Sequence, residues 1–170
     1  MRKELLVGCG PRREKAVTFE DIPPVFTNLV TLDIMPTHKP DVVHDLSVLP
    51  LPFEDEEFDE VHAYEVLEHT GQQGDWRFFF AQFAEFWRII KPDGYLIGSC
   101  PTWDGEWAWA DPGHTRVLTP KTLGFLDQEF YQLEIGKTAA SDYRPVWPHC
   151  FKLIGLQEKG PQWFFILQKK

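Results

Sequence analysis

Five short apolar runs constrain the fold of this chain more than any other feature: "KELLVGC" (3–9), "NLVTLDI" (28–34), "DVVHDL" (41–46), "FDEVHAY" (58–64) and "GYLIGSC" (94–100). Each ends near a polar or small residue and reads as a strand. Most are apolar in succession rather than alternating, the pattern of a sheet covered on both faces. Between the fourth and fifth runs lies "DWRFFFAQFAEFWRIIKPDG". There Phe79, Phe83, Phe86 and Ile90 recur at helical spacing, and Trp76, Phe80 and Trp87 widen the stripe. Asp75 is placed to cap the first turn, and Pro92 and Gly94 to end the helix. This aromatic stripe is expected to be core packing. A second helix is expected from Thr119 as N-cap with Pro120 at its first position. The final "FKLIGLQEKGPQWFFILQKK" reads as an antiparallel hairpin about a Lys-Gly-Pro turn.

Strands joined by helical crossovers predict an α/β fold with a mainly parallel, right-handedly wound sheet and a ligand cleft at the carboxyl ends of the strands. That rim would gather Gly8 and Gly10 of "LLVGCG", Asp33, Asp45 with Leu46, and Tyr64 with Glu65. A glycine-rich turn lets the backbone approach a nucleotide-like ligand. A carboxylate at the end of the second strand can accept from a ribose diol. The turn and the acid alone are shared by NAD, FAD and S-adenosylmethionine (SAM) binders. They also suit a plain strand exit and a loop cap. The third glycine of a dinucleotide fingerprint is replaced by "PRREK", which disfavours a nicotinamide enzyme.

The 170 residues suffice for one well-buried core, so a single domain over 1–170 is expected. A formal charge of −9 opposes a phosphate backbone, so nucleic acid is not the expected partner. No stretch approaches the roughly 20 apolar residues of a membrane span, and the N-terminal run is too short for a signal segment. A cytoplasmic protein is the expectation. Cys9, Cys100 and Cys150 form no CxxC pair, and the six histidines show no HExxH spacing, so ligand spacing predicts no metal.

Further motifs discriminate among the cofactors. "VVHDLSVLPLPFEDEEFDEVHAYEVLEHT" and the later "EFWRIIKPDGYLIGSCP" resemble the class I SAM-dependent methyltransferases, especially the small type-11-like group. The carriers are Asp45–Leu46, "LPFEDEEFDEV", "VLEH" (66–69) and "RIIKPDGYL" (88–96), in the family's order, over roughly residues 4 to 128. The resemblance implies a seven-stranded, doubly wound, Rossmann-like sheet whose C-terminal hairpin supplies the antiparallel edge. It implies SAM as cofactor, with Gly8 and Gly10 facing its methionine part, Asp33 on the ribose hydroxyls and Ile34 against the adenine. Asp45 would bind the adenine amine, assisted by the Leu46 backbone, and Tyr64 and Glu65 would border the methionine moiety and the reacting methyl. The family's motif I continues into a helix, whereas "PRREKAVTFEDIPPVFTN" (11–28) carries three prolines and little helical period. A shortened helix or a loop in its place is expected there, with Arg12 or Arg13 able to compensate by pairing with the SAM carboxylate.

After the fifth strand, "TWDGEWAWADPGHTRVLTP" places Trp103, Trp107 and Trp109 where the family sets substrate-contacting elements; the same residues could serve as a lid packed on the sheet edge. His114 and Arg116 resemble the family's "H-R-T" run. Arg116 is a candidate substrate contact and His114 a candidate general base, because imidazole titrates near neutrality. Glu68–His69 is expected to fasten the loop after strand four. The implied activity is methyl transfer to a small or medium acceptor. Nucleic-acid amino methylation is disfavoured, because "AYEVLE" stands where such enzymes carry a D/N-PP-Y-type motif. A non-catalytic SAM- or nucleotide-binding module is the alternative.

Overall fold

A computed structural model describes residues 2–17 and 22–170. Seven strands form one sheet in the order β3-β2-β1-β4-β5-β7-β6. They are β1 (Glu4–Val7), β2 (Leu29–Asp33), β3 (Val42–Val43), β4 (Phe58–Tyr64), β5 (Ile90–Pro101), β6 (Phe151–Lys159) and β7 (Gln162–Lys169). The first five are parallel, and β7 runs antiparallel to both β5 and β6. The expected α/β class and C-terminal hairpin are therefore present. Gly160 at φ 62° makes the tight reversal between β6 and β7.

Side-chain alternation separates two faces of the sheet. Leu5, Val7, Val61, Ala63, Leu96 and Leu167 point to one, where they meet helices α1 (Trp76–Ile89), α3 (Pro120–Gly124) and α4 (Gln128–Glu134) in a continuous apolar core. α1 begins as expected, the Asp75 carboxylate accepting from the Phe78 amide at 3.1 Å, and its Phe79, Phe80, Phe83 and Phe86 are buried. It ends at Ile89 and passes directly into β5, ahead of Pro92. Thr119 caps α3 with Pro120 in its first turn, also as expected. Asp127 then caps the separate helix α4, so the segment after Thr119 is two short helices.

The opposite face departs from the expected apolar succession. Glu4, Glu60 and His62 alternate with the core residues of β1 and β4, and all three are buried. The described parts of the connection between β1 and β2, residues 11–17 and 22–28, contain no helix and carry the groups that bury them. Residues 18–21 lie outside the described chain. Lys15 reaches Glu4 at 2.8 Å and Glu60 at 2.7 Å, all three side chains being fully buried. Arg2 reaches the other Glu60 oxygen at 2.6 Å, and His62 completes the cluster at 3.0 Å. Burial alone would raise the Glu60 carboxyl. The hydrogen bonds from His62, Lys15 and Arg2 outweigh it and hold the group down at about 2.

β3 covers only Val42–Val43 of the expected 41–46, with Asp41 tied to Thr31 of β2 and Asp45 serving a turn. Asp41 Oδ2 accepts from the Thr31 amide and hydroxyl at 2.9 and 2.7 Å, and Asp45 Oδ1 accepts from the Ser47 amide at 2.8 Å. At the far edge, β6 bulges between Leu153 and Gly155. No helix among the described residues is long and apolar enough to cross a membrane.

Candidate cofactor cleft and neighbouring groups

The strand order reverses between β1 and β4, and a crevice opens at the carboxyl ends of the strands at such a point. Here it is a cleft of about 420 Å³ lined by Gly8, Gly10, Asp33, Ile34, Asp45 and Leu46, together with His38, His44, Val66, His69 and Thr70. Six of the eight residues expected at the cofactor thus share one wall.

Two glycines shape the turn for different reasons. Gly8 has φ +59°, and a Cβ there would come within 2.3 Å of Val66 Cγ2. The Gly8→Ala variant combines left-handed strain with overpacking and is expected to lose about 2–4 kcal/mol of stability in a urea titration. Gly10, at φ +51°, has nothing within 4 Å of a would-be Cβ. Gly10→Ala should therefore cost only about 1 kcal/mol by the same measurement.

Asp33 is 5% exposed and organises this turn. Its Oδ2 accepts from the Gly10 amide and its Oδ1 from the Met35 amide, both at 2.8 Å, while His38 Nδ1 lies 3.3 Å from Oδ1. Burial would raise the Asp33 carboxyl, but those amides and His38 hold it below the ordinary carboxylate range. Capping and ligand binding are compatible, since each carboxylate oxygen has a second lone pair.

Tyr64 and Glu65 do not line the cleft. The Tyr64 phenol lies on the opposite face of the sheet, 2.8 Å from His62 Nδ1, because β4 alternation turns it away from the core side. Glu65, at φ 49°, ties β4 to β5: its Oε1 accepts from Ser99 Oγ at 2.7 Å and its amide donates to Ser99 O at 3.0 Å. Arg13 is also committed. Its guanidinium donates to the carbonyls of Gly10 (2.7 Å), Arg12 (2.8 Å) and His38 (2.9 Å), which fastens the turn to the β2–β3 connection. Arg12 remains exposed at the rim.

The expected acceptor contacts are dispersed. Trp103 packs edge-on to Trp163, with ring centroids 6.0 Å apart, and is half-buried against the core. Trp107 and Trp109 of α2 (Trp107–Ala110) are 62% and 71% exposed and line no described cavity. Arg116 is buried, donating to Leu67 O at 2.9 Å, Thr70 Oγ1 at 3.0 Å and Gln82 Oε1 at 2.5 Å. Burial lowers its guanidinium to about 10. It also borders a second cavity of about 310 Å³ beside the start of α1, walled by Trp76, Phe80, Phe125 and Tyr143. His114 does not line the cleft. It stands edge-on to His69, with centroids 4.7 Å apart, and His69 lies on the cleft wall.

A family profile described as a methyltransferase domain matches residues 5–98, more than half of the chain. The chain belongs to the methyltransferase-domain family. This is the class I, type-11 group, whose cofactor is SAM. Three solved structures share the fold of this methyltransferase domain, each aligned over 99% of the chain. A SAM-dependent methyltransferase from Archaeoglobus fulgidus is 16% identical, with 86% of its own length covered and a TM-score of 0.58. The N-methyltransferase NodS from Bradyrhizobium japonicum WM9, in complex with S-adenosyl-l-homocysteine (SAH), is 13% identical, with 78% covered and a TM-score of 0.56. A SAM-dependent methyltransferase from Methanosarcina mazei is 16% identical, with 92% covered and a TM-score of 0.56. No curated protein matches the chain in sequence.

Sequence reasoning passed over His38, His44, Val66 and Thr70 as cleft residues. His44 and Val66 lie within quoted motifs, Thr70 directly follows one, and His38 stands between two. Only their shared place at strand ends marks them.

Proposed function

We propose that the protein, acting as one domain, binds SAM in the 420 Å³ cleft and transfers its methyl group to a small or medium acceptor. The observation that carries this reading is the convergence of Gly8, Gly10, Asp33, Ile34, Asp45 and Leu46 on one cleft at the reversal of strand order. The donor set suits the cofactor. Two carboxylates match a ribose diol and an exocyclic amine, and the apolar Ile34 and Leu46 match a purine face. The open space at Gly10 leaves backbone accessible to the methionine end, and the exposed Arg12, two residues on, is a candidate to meet its carboxylate.

When bound, the cofactor supplies an activated methyl group, and the protein's task is alignment and exclusion of water. The Gly8–Gly10 turn is held in place for that task by Asp33 from one side and Arg13 from the other. A base is needed only for an acceptor that must lose a proton. His114 stands behind His69 and does not reach the cleft alone. Three unpaired thiols, Cys9, Cys100 and Cys150, favour a cytoplasmic setting.

Calorimetry with SAM, SAH and NAD tests the reading. Binding of SAM and SAH but not NAD is expected, and absence of binding to both sulfur ligands would overturn it. Binding without methyl transfer to any acceptor in a broad metabolite panel would instead favour the non-catalytic module.

A further inference from the structure

Beside the cleft, three side chains from two segments converge. Glu68 and His69 belong to the turn after β4, and His114 to the loop that follows α2. One ligand atom of each lies within 4.8 Å of the others. The convergence is built. The Thr115 and Arg116 amides donate to Glu68 O at 2.9 and 3.3 Å, and the Thr115 hydroxyl donates to the same oxygen at 3.2 Å.

Glu68 is 2% exposed, yet neither carboxylate oxygen has a hydrogen-bond partner among the described residues. The His114 side chain is 8% exposed, and its Nδ1 is likewise unpartnered. A buried carboxylate without a geometric hydrogen-bond partner is costly, and a cation seated between Glu68 and the two imidazoles would relieve that cost. His69 is oriented in a manner consistent with that role. Its Nδ1 lies 3.1 Å from Gly113 O, and donation there leaves Nε2 as the lone-pair nitrogen.

We propose that Glu68, His69 and His114 bind a divalent transition-metal ion at the edge of the cofactor cleft. Two imidazoles and one carboxylate form a ligand set used by zinc and its neighbours at catalytic sites, where further positions stay open to water or substrate. Ligand atoms around such an ion lie about 3.4 Å apart at metal–ligand distances near 2.1 Å. The three side chains therefore close by roughly an ångström on binding, and neither Glu68 nor His114 Nδ1 gives up a hydrogen bond to do so. The Glu65 charge lies nearby and adds to the negative potential that a cation would meet. Arg116 also faces Glu68, but its hydrogen bonds go to Leu67, Thr70 and Gln82. Cys100 packs against the same carboxyl. Its sulfur is not among the converging ligand atoms. Because His69 lies on the cleft wall, the open positions of the ion would serve an acceptor oxygen or nitrogen.

The proposal stands on these side chains and not on the methyl-transfer reading. Its test is titration of tag-free, EDTA-treated protein with Co²⁺, followed by visible absorption and calorimetry, with Zn²⁺ and Mn²⁺ in parallel. One ion per chain is expected, with imidazole-type Co²⁺ spectra. Glu68→Gln and His114→Ala should each weaken binding at least about 100-fold while the circular dichroism spectrum is retained, and His69→Ala should do the same independently of them. No binding of any of the three ions, or binding that the variants leave unchanged, overturns the site. Metal binding by a protein that fails to bind SAH would sink the cofactor reading alone.

Discussion

Lys15→Met is expected to lose about 3–5 kcal/mol of stability, read as a lowered urea midpoint at neutral pH. The substitution keeps an unbranched, apolar stem of nearly the same length and removes the ammonium group with its contacts to Glu4 and Glu60. Glu4 and Glu60 then remain buried on the face opposite α1 with their shared cation gone. Partial compensation persists, because the Thr27 and Asn28 amides still donate to Glu4 at 2.7 and 3.0 Å and Arg2 still reaches Glu60. The exposed pair Lys152–Glu129 is the control, and Lys152→Met should leave the midpoint unchanged. The sign of the pH dependence follows from Glu60. Its native value of about 2 lies below the ordinary 4.5, so its stabilising contribution is complete above about pH 4.5 and is lost as pH falls toward 2. Lys15→Met and the parent should therefore converge in stability across that window. A cost that persisted undiminished at pH 2 would mean that packing, not charge, ties this segment to the sheet.

Asp33→Ala should weaken SAH binding about 100-fold, measured by calorimetry well below the unfolding temperature. Two charge-assisted hydrogen bonds to a ribose diol, each worth about 1.5 kcal/mol or more, account for that factor. The same change orphans the Gly10 and Met35 amides, so thermal stability should fall as well, by about 2 kcal/mol. Asp33→Asn separates the two effects. It retains an acceptor for one amide and recovers part of the stability while still lacking the charge that the diol prefers. Unchanged SAH affinity in Asp33→Ala would remove this residue from the cofactor site and leave it as a cap.

The central strands, the aromatic helix and the terminal hairpin were legible because their signals are local. Phe79, Phe83 and Phe86 repeat at a helical period, and Gly160 and Pro161 punctuate two apolar runs. The cleft was legible as far as strand ends could be counted, which placed Gly8, Asp33 and Asp45 together. Tyr64 was misplaced by a single residue of pleat, since the last position of β4 turns to the opposite face. Arg116 was read as a substrate contact from its resemblance to the family's "H-R-T" run, whereas here Leu67, Thr70 and Gln82 draw it inward. The buried Lys15 cluster left no sequence signal, because its members come from three separate segments and each looks like a surface residue in isolation. The same holds for His69 and His114, far apart in the chain and brought into ring contact only by the hydrogen bonds of 113–116 to the turn after β4.

The two borders of the sheet bear on how this chain behaves at high concentration. An unpaired strand edge is a template for another chain. On one side β3 offers only two residues. On the other, β6 is kinked by its bulge and carries Lys152, Glu158 and Lys159 on exposed positions, although Ile154 and Leu156 are also partly bare. The most aggregation-prone run of the sequence, "WFFIL" of β7, sits one strand inside that border, paired on both sides. Peeling of β6 alone would uncover it, so colloidal stability is governed by the local attachment of this hairpin arm rather than by the global unfolding free energy.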